Sequence, residues 1–258
     1  MSRAPRAVVG LAGVAVGLLA LPVLALLVRA PWSRLGVLLT THEALDALRL
    51  SLLTATAATA IALLLGVPLA WVVARSGWRV APAIRAVVAL PLVLPPVVGG
   101  VALLLAFGRT GLVGRPIYEL TGHALPYSTA GVVVAEAFVA MPFLVIAVEG
   151  SLRAADPRHE EVAQTLGLSP GRTLLRVTFP LVRSGVLAGA TLAWARALGE
   201  FGATVTFAGS FPGVTRTLPL EVYRQLELDP DAATALAMLL LAVAVAVLLA
   251  LHGRWGRR

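Results

Sequence analysis

Six runs of about 20 predominantly apolar residues dominate the sequence, and an α-helix needs that length to cross the roughly 30 Å hydrocarbon core of a bilayer. Ala7–Val28, Leu50–Ala74, Ala86–Gly108 and Ala232–Leu251 contain no charge; Thr129–Gly150 contains Glu136 and Glu149, and Val182–Ala208 contains Arg183, Arg196 and Glu200. Lipid offers the backbone no hydrogen-bond partners, so such runs satisfy their own N–H and C=O groups as helices. The expectation is an all-α, multi-pass transmembrane helical bundle: one membrane domain over residues 1–258 with six spans.

Composition agrees, since 59% of residues are hydrophobic and 13% charged, against about 45–50% and about 25% in soluble domains. The first run follows Arg3 and Arg6 as a signal peptide would, but it exceeds the usual apolar core of a signal peptide and five more runs follow it. It reads as a retained helix. The third run carries Pro91, Pro95, Pro96, Gly99 and Gly100. Its first turns must be kinked or broken, either as a packing feature or as a pathway lining.

The formal charge of +8 comes from 21 basic residues, every one an arginine. Without lysine the chain cannot hold a G-x-x-x-x-G-K-[ST] phosphate loop, so any ATP and Mg²⁺ chemistry belongs to a partner. The arginines stand singly between apolar runs instead of clustering with aromatics, which argues against nucleic acid. No cysteine is present, and His42, His123, His159 and His252 have no ligand-like spacing, so no metal site is expected.

Arginines flanking the spans set orientation. With a cytoplasmic N-terminus, that side holds thirteen: Arg3, Arg6, Arg75, Arg79, Arg85, Arg153, Arg158, Arg172, Arg176, Arg183, Arg254, Arg257 and Arg258. The other side holds seven. Both termini are expected in the cytoplasm.

The longest connection, about 151–181, then lies on the cytoplasmic face. Asp156-Pro157 starts a short helix that Gly167 ends, and Ser169-Pro170 starts a second that Pro180 closes. Glu161-Val162-Ala163, three residues, Gly167, nine residues, then Val177-Thr178-Phe179-Pro180 resembles the E-A-A-x3-G-x9-I-x-L-P loop of ABC-importer permeases. Glu161, Ala163, Gly167 and Pro180 match outright; Val162, Val177 and Phe179 depart conservatively. The resemblance implies a type I importer fold and a coupling helix docked in a groove on a separate ATPase subunit. A passive helix pair on the headgroups is the alternative.

Arg196 and Glu200 fall four residues apart in the fifth run, one helical face near mid-membrane. Charges there cost at least ~2.5–3.5 kcal/mol each, so they should pair and face the bundle interior. Two uses stay open: an ion pair that fixes packing, or a part of an anion path or gate. Thr204, Thr206 and Ser210 offer hydroxyls to an oxyanion, although such groups commonly bond their own backbone. Gly185, Gly189, Gly199 and Gly202 form a small-residue stripe suited to close helix approach, within the chain or against a second protomer. Glu136 reads as a core hydrogen-bonding acid and Glu149 as interfacial.

The strings around Arg196–Phe207, Pro212–Tyr223 and Pro91–Gly100 resemble molybdate permeases more closely than the sulfate and thiosulfate permeases that share R-x-L/I-G-E. The resemblance runs from about Leu45 to Leu251. It implies a homodimer in the bacterial inner membrane that receives molybdate, or tungstate, from a periplasmic or lipid-anchored binding protein. A sulfate permease is the alternative within the class. A secondary transporter would need inverted repeats with matching broken helices, and none stands out. A membrane enzyme would need a catalytic cluster, and no such cluster is readable.

Overall fold

In a computed structural model, which describes residues 5–75 and 79–252, the chain is helical nearly throughout. Arg3, Arg254, Arg257 and Arg258, used for orientation above, lie outside the described residues.

Among the described residues, five helices are long and apolar enough to span a bilayer, and a bent pair supplies a sixth candidate. The five are α1 (Arg6–Val28), α3 (His42–Arg75), α7 (Thr129–Ala154), the continuous Pro170–Leu198 stretch and α13 (Pro230–His252). Within that stretch α9 (Pro170–Thr173) passes through a π-helical turn, Leu174–Thr178, into α10 (Phe179–Leu198). The bent pair is α4 (Ala81–Val93) and α5 (Pro96–Phe107). Short helices complete the chain: α2 (Leu35–Leu39), α6 (Gly114–Thr121), α8 (Arg158–Thr165), α11 (Gly202–Ala208) and α12 (Leu218–Leu228).

The core is α7 wrapped by α3 and α10. Ala55, Ala58, Ala62 and Ala70 of α3 meet Ala137, Ala140, Leu144 and Val148 of α7 and Ala193 and Ala197 of α10, all buried. Between membrane helices the gain comes from close packing, not from removing apolar groups from water, and alanine permits that approach. Gly189 shows the tolerance: a Cβ there would sit 3.1 Å from the Ala147 Cβ and the Leu144 carbonyl of α7. The glycine stripe on α10 therefore faces α7 of the same chain at Gly185 and Gly189. In contrast, α1 buries none of its apolar window against the rest of the chain.

Several expectations are corrected. The second run begins earlier, at His42, giving a 34-residue helix about 51 Å long at 1.5 Å per residue. The 86–108 run is two helices that change direction by 118°. A residue before a proline is biased away from the helical region, and here two in succession leave it: Leu94 (ψ 132°) before Pro95 and Pro95 (ψ 135°) before Pro96. The 182–208 run is not one helix either. It ends at Leu198 and resumes at Gly202.

Pro180 does not close a second short helix; it lies inside the first turn of α10. Proline has no N–H and its ring crowds the carbonyl four residues back. The wide turn just before it, where the Phe179 N–H reaches the Leu174 carbonyl, lets the helix continue. The connection is one short helix, a turn, and the start of the next long helix.

Candidate functional site

On the face read as cytoplasmic, α7 ends at Ala154 and the Asp156 carboxylate accepts the Arg158 N–H at 2.9 Å, opening α8. The far end of α8 is closed by two bonds, from the Gly167 N–H to the Gln164 carbonyl (2.9 Å) and from the Leu168 N–H to the Ala163 carbonyl (3.1 Å). That six-to-one and five-to-two pattern needs a left-handed residue after the helix. Gly167 supplies it with φ +87°. Ala163 is the buried residue of α8, and α8 packs on the π turn that follows. Glu161, Val162, Leu166, Gly167 and Pro180 are exposed. Of the five residues singled out in this loop, four are thus exposed and one, Ala163, is buried.

Glu160, which sequence reasoning passed over, points the other way from its neighbour. Its Oε1 accepts from Arg75 Nε at 3.1 Å, and both side chains are largely buried. Nearby, Glu149 accepts from Arg85 Nε (2.7 Å) and Arg153 Nε (2.9 Å).

From this loop the uninterrupted helix runs to a second cluster. Arg196 Nη2 lies 2.6 Å from Glu200 Oε2, as expected of a pair, but Glu200 sits in the break after α10 instead of on the same helical face. Its other oxygen accepts the Ala203 N–H at 2.8 Å and opens α11. Gly202 abuts Pro96 of α5, where an added Cβ would lie 2.6 Å from the Pro96 Cβ. The two broken runs therefore meet at their breaks. A cavity of about 140 Å³ opens there, lined by Pro91, Leu94, Pro96, Phe138, Phe143 and Arg196 among others. Arg196 is the charged member of an otherwise apolar and aromatic lining. Its guanidinium has more N–H donors than its contact with Glu200 uses.

The hydroxyls divide. Thr206 Oγ1 donates to the Gly202 carbonyl at 2.8 Å, Ser210 Oγ accepts from Arg216, and Thr204 Oγ1 is buried with no partner among the described residues. Glu136, in α7, is buried and accepts from Thr54 of α3 at 2.9 Å, the core acid expected.

A further ionic cluster, unmarked by any motif, lies at the opposite end. Glu221 of α12 is fully buried and accepts from Arg224 (2.6 and 2.9 Å) and Gln225 (2.8 Å), with Arg216 at 3.6 Å. Burial alone would raise its pKa; the hydrogen bonds from Arg224 and Gln225 and the charges of Arg224 and Arg216 outweigh burial and hold it below the usual value. The Leu218 N–H donates to Ser51 Oγ at 2.7 Å, which fastens the start of α12 to α3.

Among proteins of known identity, the molybdenum transport system permease protein ModB of Mycobacterium tuberculosis (strain ATCC 25618 / H37Rv) is 54% identical over 213 residues, covering 83% of this chain and 80% of that protein. The ModB protein of Escherichia coli (strain K12) is 38% identical over 182 residues, 70% of this chain and 80% of that one. The crystal structure of a bacterial alginate ABC transporter, complexed with an alginate pentasaccharide-bound periplasmic protein, contains a chain of the same fold with TM-score 0.76 and 15% identity. The match covers 97% of this chain and 93% of that one. Residues 62–258, a stretch that contains both the α8 loop and the Arg196 cavity, match one family model, and on that match the chain belongs to the inner membrane components of binding-protein-dependent transport systems.

Proposed function

We infer that this chain is the membrane-spanning permease of an ABC importer for molybdate, with tungstate as a near-equal passenger. The observation that carries the mechanism is the continuous helix from Pro170 to Leu198. Its 29 residues form a lever of about 43 Å that begins three residues after Gly167 and carries Arg196 in its last turn. A subunit that pushes on the exposed edge of α8 would move the cavity end without a flexible joint between. The chain has no lysine for a phosphate loop, so the ATP and Mg²⁺ belong to a separate ATPase that docks over Glu161, Val162, Ala163 and Gly167, with Pro180 at the start of the lever.

The cargo rests on the relatives named for molybdenum transport. Arg196 suits it chemically. A guanidinium paired with Glu200 but with N–H donors to spare, in an apolar cavity, can greet a dianion in passing without trapping it, and an external binding protein supplies the affinity. Two copies of the chain enclose the path, both termini lie in the cytoplasm, and the Glu221 cluster faces outward.

The test is reconstitution with the ATPase and the binding protein. ATP hydrolysis should rise more with molybdate- or tungstate-loaded binding protein than with sulfate-loaded protein, and the purified complex should contain two copies of this chain. Equal stimulation by sulfate, or a deletion strain that requires cysteine while molybdenum uptake is unchanged, would move the cargo to sulfate.

A further inference from the structure

Among the described residues, a single ion pair leaves α8, and it goes to α3. Arg75 is the last residue of α3, and its guanidinium is divided between two other elements: Nε donates to Glu160 Oε1 at 3.1 Å, and Nη2 donates to the Ala155 carbonyl at 3.1 Å. Ala155 caps α7. One side chain therefore joins the ends of α3, α7 and α8. Glu160 and Arg75 are 12% and 15% exposed, which separates them from the surface pairs of this chain, such as Arg115–Glu119 at 70% and 59%. Surface pairs contribute little, whereas a largely buried, fork-shaped guanidinium contact fixes geometry.

The packing makes this contact matter. α8 rests chiefly on the turn that leads into α10, so a push on α8 reaches α10 through packing. α3 packs along both α7 and α10 within the bundle, and its last turn, beside α8, is held by charged groups: Arg75 as described, and Arg85 of α4, which donates to the Val73 carbonyl at 2.8 Å and to Glu149 of α7 at 2.7 Å. We propose that Arg75 is a positioning residue for transport, passing the displacement of α8 to α3 through Glu160 so that α3 and α10 move together. Neighbouring glutamates then divide the work: Glu161 faces outward toward the ATPase, and Glu160 faces inward to the bundle. This rests on the coupling role of α8 given above, and it adds a second route from that helix into the membrane.

The experiment uses the full importer in proteoliposomes: permease, ATPase, and molybdate-loaded binding protein. Arg75→Gln should leave ATPase association and basal ATP hydrolysis unchanged and lower molybdate-stimulated hydrolysis and uptake about tenfold, within the usual span of coupling between sites. Glu160→Gln should lower uptake similarly. The exchanged pair, Arg75→Glu with Glu160→Arg, should recover most of the uptake because the link is remade with opposite polarity; a residue that merely helps folding would not be rescued in this way. Normal stimulation in Arg75→Gln, or an exchanged pair no better than either single variant, overturns the proposal. The underlying coupling role is tested separately by Glu161→Lys. If that variant loses association and uptake while Arg75→Gln is normal, α8 is the coupling helix and Arg75 is not its link. If Glu161→Lys also behaves as wild type, both fail.

Discussion

Arg196 Nη2 lies 2.6 Å from Glu200 Oε2, the arginine in the last turn of α10 and the glutamate in the break that follows it. Glu200 is 1% exposed and uses its second oxygen to hold the Ala203 N–H. Removing Arg196 would leave a buried carboxylate uncompensated, which costs about 3 kcal/mol, toward the low end for buried pairs because Arg196 itself is partly solvated. Arg196→Ala should therefore lower the unfolding temperature in detergent, and Arg196→Ala with Glu200→Gln should restore much of it. Uptake separates packing from passage. If Arg196 greets the anion, the stabilised double variant still transports roughly tenfold slower, the effect of about 1.4 kcal/mol on the barrier. Uptake that recovers together with stability would assign the pair to packing alone.

Gly167 is held at φ +87° by the two bonds that close α8. A side chain in that region costs about 1–2 kcal/mol, and more when branched at Cβ. Space is not the issue, since an added Cβ would meet nothing within 4 Å. Gly167→Val should reshape the end of α8 while the α3–α7–α10 core stays folded. Pull-down of the ATPase and ATP-driven uptake should both fall, with the unfolding temperature changed little. Normal values in both assays would remove the coupling role.

Orientation is open to direct labelling, because the sequence contains no cysteine. Single cysteines at Arg158 and Glu227, both exposed, should react with an impermeant maleimide on opposite sides of the membrane. Position 227 is expected to label from outside intact cells and position 158 only after permeabilisation. The reverse pattern would invert the topology.

Sequence resolved what lies in local chemistry and missed what distant residues decide. The spans follow from hydropathy, and Gly167 is legible because a left-handed turn after a helix selects glycine. The direction change at Leu94–Pro96 is legible as a break, for proline restricts its predecessor, yet nothing local gives the 118° angle. The second break is different. No proline interrupts residues 196–204, and glycine is tolerated in membrane helices. α10 stops because Glu200 caps α11 and Gly202 fits against Pro96, more than 100 positions earlier. Glu160 likewise carries no local signal beside the motif residue Glu161; its role depends on Arg75, 85 residues away.

The Glu221 cluster gives a pH signature that motifs do not. Its folded pKa is depressed, with the ions of Arg224 and Arg216 beside it. A group depressed in the native state binds fewer protons there than in the unfolded chain, so its stabilisation is complete above the unfolded value of about 4.3 and is lost as pH falls through the folded value. Other carboxylates titrate over the same range, so the informative quantity is the difference between wild type and Glu221→Gln. At pH 7 the variant loses a buried carboxylate bonded to Arg224 and Gln225, about 1.5–3 kcal/mol. Below about pH 4.3 the wild type loses the same contribution, and the gap in unfolding temperature should close. Arg224→Gln, which removes the principal donor, should lower stability at pH 7 and flatten the acid limb in the same direction. A gap that stays constant from pH 7 to 3 would mean that Glu221 stabilises α12 by shape and not by charge.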